Sequence, residues 1–127
     1  MPGIIFFRTA SLADIVEFYV NRLGMKVWLE QEGCTILSHG CFLLGFCQHE
    51  EPETEGVITL FYEQKEEVDR KYMELKDIST SEPFENSRYR IYQFYSVDPE
   101  GRTLEFQTFL HELRQVSLEK FLEKALE

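Results

Sequence analysis

One carboxylate in this 127-residue chain stands where chemistry could be done on it. In the run Asp98-Pro99-Glu100-Gly101-Arg102-Thr103-Leu104-Glu105-Phe106, Pro presets φ and Gly accepts a positive value, so the first residues form a tight turn. From Thr103 to Phe109 polar and apolar residues alternate as they do on a half-buried strand. That alternation puts Glu105 on the face opposite Leu104 and Phe106. A strand carboxylate so placed can serve as a general base, a metal ligand or the partner of a cationic ligand group.

Other reactive groups lie in less suggestive settings. There is no GxSxG, no phosphate-cradling Gly-rich loop and no helical HExxH. Cys34, Cys41 and Cys47 are an odd number without a CxxC pair, which reads as thiols in a reducing compartment, small and apolar in the interior. His49 follows Cys47 at a spacing that shares a strand face. His39 falls in a turn and His111 at a helix start, and both read as solvated.

The elements that must hold Glu105 follow from periodicity. Gly3 to Thr9 is a strand with apolar residues on both faces, which predicts an interior strand. Ser11 is positioned as an N-cap with Asp14 at the capping-box position, Ile15, Phe18, Tyr19 and Leu23 recur at helical spacing, and Gly24 stops the helix. Met25 to Glu30, Cys34 to Ser38 and Cys41 to Gln48 then read as three antiparallel strands. The acidic loop from Glu50 to Gly56 is the joint of the chain. After it the order restarts: a strand from Val57 to Glu63, then a helix from Lys65 to Lys76 with Val68, Tyr72 and Leu75 inward. Ser79 to Ser87 has no clean period and predicts a short edge strand or a loop, Tyr89 to Val97 is a strand, and the Asp-Pro-Glu-Gly turn opens the last one.

The helix ending Phe18-Tyr19-Val20-Asn21-Arg22-Leu23-Gly24-Met25 after a short apolar strand, together with the late Asp98 to Phe106 run, resembles the vicinal oxygen chelate superfamily of glyoxalases, extradiol dioxygenases and bleomycin-resistance proteins. The resemblance spans Ile4 to about Phe109. It implies an α+β fold of one domain over residues 1–127: two βαβββ modules, 1–49 and 56–110, forming a cupped mixed sheet. A C-terminal helix over 111–127 follows, whose stripe of Leu113, Val116, Phe121 and Leu122 must bury on its own domain or on a partner subunit. It also implies a homodimer and a small-molecule ligand in the cup.

Metal-using members of that superfamily hold a divalent ion with four side chains that face into the cup. Matched onto this chain, those positions are Ile4, Leu44 or Gly45, Val57 and Glu105, and Glu105 alone can ligate. No metal and no other cofactor is therefore expected, unless a displaced site is built from Cys47, His49 and Glu105. The cup lining expected is Phe6, Arg8, Trp28 and Cys47 from the first module, with Thr59, Phe61, Tyr92, Glu105 and Gln107 from the second. Two functions fit such a lining. One is a metal-free binding protein of the bleomycin-resistance type, sequestering an aromatic or cationic ligand in a cleft at the dimer. The other is an enzyme of the same superfamily, a lyase, isomerase or dioxygenase, using Glu105 as general base or at a non-standard metal site.

Charge narrows the partners. A formal charge of −10 repels nucleic acid and anionic membrane while steering cations toward the protein. No apolar run approaches the roughly 20 residues of a spanning helix, and Met1-Pro2-Gly3 lacks a basic leader, so a cytoplasmic protein is expected.

Overall fold

A computed structural model describes residues 2–114. The element order is β1 (Ile4–Thr9), α1 (Leu12–Asn21), β2 (Lys26–Gln31), β3 (Cys34–His39), β4 (Phe42–Gln48), β5 (Val57–Tyr62), α2 (Lys65–Leu75), a 3-10 turn (Lys76–Ile78), β6 (Phe84–Asn86), β7 (Ile91–Val97) and β8 (Thr103–Phe109). Two βαβββ modules are thus present. Each makes its own four-stranded mixed sheet, in the orders β1-β4-β3-β2 and β5-β8-β7-β6. In each sheet the outermost strand that precedes the helix runs parallel to the last strand of the module, and the other pairings are antiparallel.

Each helix covers one face of its own sheet. From α1, Ile15, Phe18 and Tyr19 pack toward Leu37, Leu44 and Phe46 of the first sheet. From α2, Val68 and Leu75 pack toward Leu60, Phe94 and Phe106 of the second, where the last two rings stack with centroids 5.0 Å apart. These residues form one continuous core, and burying each such side chain stabilises the fold by about 1.5–3 kcal/mol. The opposite face of each sheet is left to the outside, and it carries the residues of interest. Among the described residues no helix is long and apolar enough to cross a membrane.

Several expectations are corrected. β1 is an edge strand, not an interior one: among the described residues nothing pairs beyond it, and Ile4, Ile5 and Phe6 are exposed. Ser11 makes no side-chain cap; the Leu12 N–H instead donates to Gln48 Oε1 at 2.8 Å, from the neighbouring strand end. Cys34 and Cys47 are joined in a disulfide across β3 and β4, not free thiols, and only Cys41 remains free. His111 to Arg114 is not helical, and the remainder of the C-terminal helix expected over 111–127 lies outside the described residues.

Candidate functional site

The Asp98 to Arg102 turn does more than aim β8. Its Asp98 Oδ1 accepts from the Glu100 and Arg102 N–H groups at 2.9 and 3.0 Å, and Gly101 takes the positive φ of 90° that the reversal requires. Its side chains then reach across to the first module. Glu100 accepts from Thr9 Oγ1 at 2.6 Å and from the Ala10 N–H at 3.0 Å, while Arg102 Nη2 donates to the Arg8 carbonyl at 2.6 Å. Tyr19 of α1 donates its hydroxyl to Asp98 Oδ2 at 2.8 Å. Arg102, 1 % exposed, completes the cluster by pairing with both acids and lying over the Phe46 ring at 5.2 Å. Burial, then the Asp98 charge and hydrogen bond, push the Tyr19 hydroxyl far above its ordinary value, which keeps it a donor.

From this anchored turn β8 carries Glu105 out onto the open face of the second sheet. Cross-strand register puts Thr59 beside it on β5 and Tyr95 beside it on β7. Thr59 Oγ1 donates to Glu105 Oε1 at 2.7 Å, and Gln93 Nε2 donates to Oε2 at 2.8 Å. Gln107, with its amide nitrogen turned to the carboxylate, donates to both oxygens at 3.3 and 3.1 Å. Every one of these donors is neutral. The charge of Glu105 is therefore oriented but not compensated, and no Lys or Arg pairs with it among the described residues. Gln93, Glu105 and Gln107 form the floor of a hollow of about 330 Å³, with Tyr89, Ile91, Tyr95 and Phe109 as walls and Asn86 at one end.

The lining expected from sequence separates into two places. Thr59, Phe61, Glu105 and Gln107 do share the open face of the second sheet, where Phe61 packs edge-on against Phe109. Tyr92 does not: it pairs with Thr108, faces α2, and its hydroxyl donates to Asp69. The cup-facing residues of β7 include Ile91, Gln93 and Tyr95. Phe6, Arg8 and Cys47 lie on the open face of the first sheet, where Phe6 pairs with Gly45 and Arg8 with Cys47 of β4. Phe6 lays its ring directly over Gly45, in the space a Cβ would occupy. Trp28 sits at the irregularity in β2 and lines a separate hollow of about 720 Å³ with Ile4, Ser38 and Leu43, drawn from the first module alone. Arg8 is exposed and salt-bridged to Glu53, and Cys47 is spent in its disulfide. A third cavity, about 690 Å³, lies between the modules and is walled by His39, Phe42, Phe61 and Tyr62.

The donor set does not suit a metal. Ile4 and Val57 carry hydrocarbon, Leu44 points into the core and Gly45 has no side chain, which leaves Glu105 as the one carboxylate at the matched positions. The displaced alternative loses Cys47 to the disulfide, and no three metal-binding side chains come together among the described residues.

No known family model and no curated protein sequence matches the chain. Solved structures do. A glyoxalase/bleomycin resistance protein/dioxygenase from Nocardioides superposes with a TM-score of 0.72 at 20% identity, covering 93% of this chain and 89% of that one. A protein so described from Alicyclobacillus acidocaldarius gives 0.73 at 17% identity, over 87% and 92% of the two chains. A lactoylglutathione lyase from Agrobacterium tumefaciens gives 0.70 at 17% identity, over 85% and 92%. At these identities the likeness is one of fold.

Proposed function

We propose that this chain, which has the fold of glyoxalases and bleomycin-resistance proteins, is a metal-free binding protein that sequesters an aromatic cation. The observation that carries the reading is Glu105: a carboxylate on the floor of an aromatic-walled hollow, fixed by Thr59, Gln93 and Gln107 and left without a positive partner among the described residues. A part-buried carboxylate costs free energy unless charge is supplied to it, and a cationic ligand supplies it. The two longer Gln107 contacts are the ones a ligand N–H would displace. The formal charge of −10 steers such a ligand inward, more strongly at low salt.

The cleft is completed by a second copy. The open faces bearing Phe6 and Trp28 in one module and Glu105 in the other belong to different sheets, and among the described residues β1 and β5 are both edges, with exposed Ile4, Val57 and Phe61. A homodimer covers those edges and brings a first-module face over a second-module hollow. The Cys34–Cys47 bond points to an oxidising location rather than the cytoplasmic one expected from sequence.

The test is a thermal-shift screen of aromatic amines against wild type and Glu105→Gln at low and high salt, since a ligand that binds the native state raises its apparent stability. Binders should lose roughly 1–3 kcal/mol in the variant, the range of a charge-assisted hydrogen bond. Unchanged affinity, or a preference for anions, defeats the reading. Nickel, zinc, manganese and ferrous iron should leave the melting temperature where it is, and stoichiometric metal in the purified protein would favour the enzyme instead.

A further inference from the structure

The amide orientations around Glu105 are set from one end by the main chain. The Arg88 N–H can only donate, and it donates to Asn86 Oδ1 at 3.1 Å. Asn86 therefore turns its nitrogen to Gln93, whose Oε1 accepts at 3.1 Å. Gln93 must then present Nε2 on its other side, where the two hydrogens go to Glu105 Oε2 at 2.8 Å and to the Tyr95 hydroxyl oxygen at 2.7 Å. With Gln93 only 1 % exposed, solvent offers no second arrangement. The Tyr95 hydroxyl is thus an acceptor inside the chain of bonds. Its own hydrogen meets no acceptor among the described residues, and Tyr95 lines the same hollow as Glu105. A hydroxyl in that position is a donor to whatever enters.

We infer that Tyr95 is a specificity-determining residue, and that the ligand carries a hydrogen-bond acceptor beside its cationic nitrogen, as an α-amino carbonyl compound does. This rests on the reading of Glu105 as the seat of a cation. The Tyr95 oxygen and Glu105 Oε2 both bond the same trigonal nitrogen, at 2.7 and 2.8 Å, so they stand about 5 Å apart. A ligand that bridges them must hold its donor and its acceptor on neighbouring groups. A plain amine uses Glu105 alone and leaves the Tyr95 hydrogen unspent.

Two probes separate these cases: phenethylamine, and phenylalanine amide, which adds a carbonyl next to the ammonium. Both are titrated into the full-length protein at mildly acidic pH, where both are monocations, and followed by amide chemical shifts. Wild type should bind phenylalanine amide about tenfold more tightly, the worth of one neutral hydrogen bond. Tyr95→Phe, which keeps the ring, should abolish the preference. Glu105→Gln should weaken both. If both amines bind and lose affinity in Glu105→Gln, but wild type shows no preference or Tyr95→Phe retains it, the inference about Tyr95 is overturned while the cation reading stands. If neither amine binds at millimolar concentration, or Glu105→Gln changes nothing, the cation reading fails and this inference with it.

Discussion

Gln93 is the residue on which the arrangement around Glu105 turns. It is buried, it bonds three neighbours, and its removal takes a hydrogen-bond partner from each of Asn86, Tyr95 and Glu105. Gln93→Leu is expected to destabilise the protein by about 1–3 kcal/mol, read from denaturant unfolding, and to weaken amine binding by freeing the Glu105 side chain. That residue was within reach of the sequence. The tight turn fixes Val97 opposite Thr103, and counting back from it places Tyr95 opposite Glu105 and Gln93 opposite Gln107. Both faces of β7 carry aromatics, so aromatic content does not tell the cup face from the α2 face, and the cup receives Tyr95 rather than the expected Tyr92. The disulfide follows from the same counting. A two-residue turn at Gly40 and Cys41 pairs His39 with Phe42 and hence Cys34 with Cys47. Titration of the unreduced, denatured protein should find one thiol, Cys41, and three after reduction; three at the outset would mean the bond is not formed.

At the scale of elements, the clasp between the modules is the site of largest expected effect. Arg102 pairs with Asp98 and Glu100 in a dry setting, and truncating one member of a buried ion pair leaves the others uncompensated. Arg102→Ala should cost about 3–5 kcal/mol in equilibrium unfolding. A loss under about 1 kcal/mol would show that the clasp is not holding the modules. Burial acts to raise the Glu100 carboxyl, but hydrogen bonds from Thr9 and Arg102, with the Ala10 N–H and the Arg102 charge, outweigh it and hold the group below its ordinary range. A carboxyl depressed in the folded state lends stability that is present above its unfolded value and is lost as pH falls through about 4 and below. Glu100→Gln should therefore lower the melting temperature at neutral pH and flatten its decline in acid. A parallel decline in mutant and wild type would remove Glu100 from the account. Helix and strand order was readable from periodicity and from the turn residues between elements. The clasp was not, because its partners, Thr9 and Ala10 with Glu100 and Tyr19 with Asp98, are distant in sequence and of ordinary residue type.

For the whole molecule, the exposed edges make assembly the decisive measurement. Light scattering should return about twice the 15.1 kDa of one chain, and a monomer at micromolar concentration would remove the shared cleft. Exposure of β1 could not be read from its residues: an apolar strand covered by its own domain and one covered by a second copy have the same composition. The two modules have one element order, and their sheets are built alike, yet their last turns differ. The first module closes β3 to β4 with Gly40 and Cys41, which carry no charge, whereas the second closes β7 to β8 with Asp98 to Arg102. The lock thus has a direction. Two first modules joined in tandem would have sockets and no key, two second modules a key and no socket of Thr9, Ala10 and Tyr19, so the halves of this near-symmetric chain cannot be exchanged for one another.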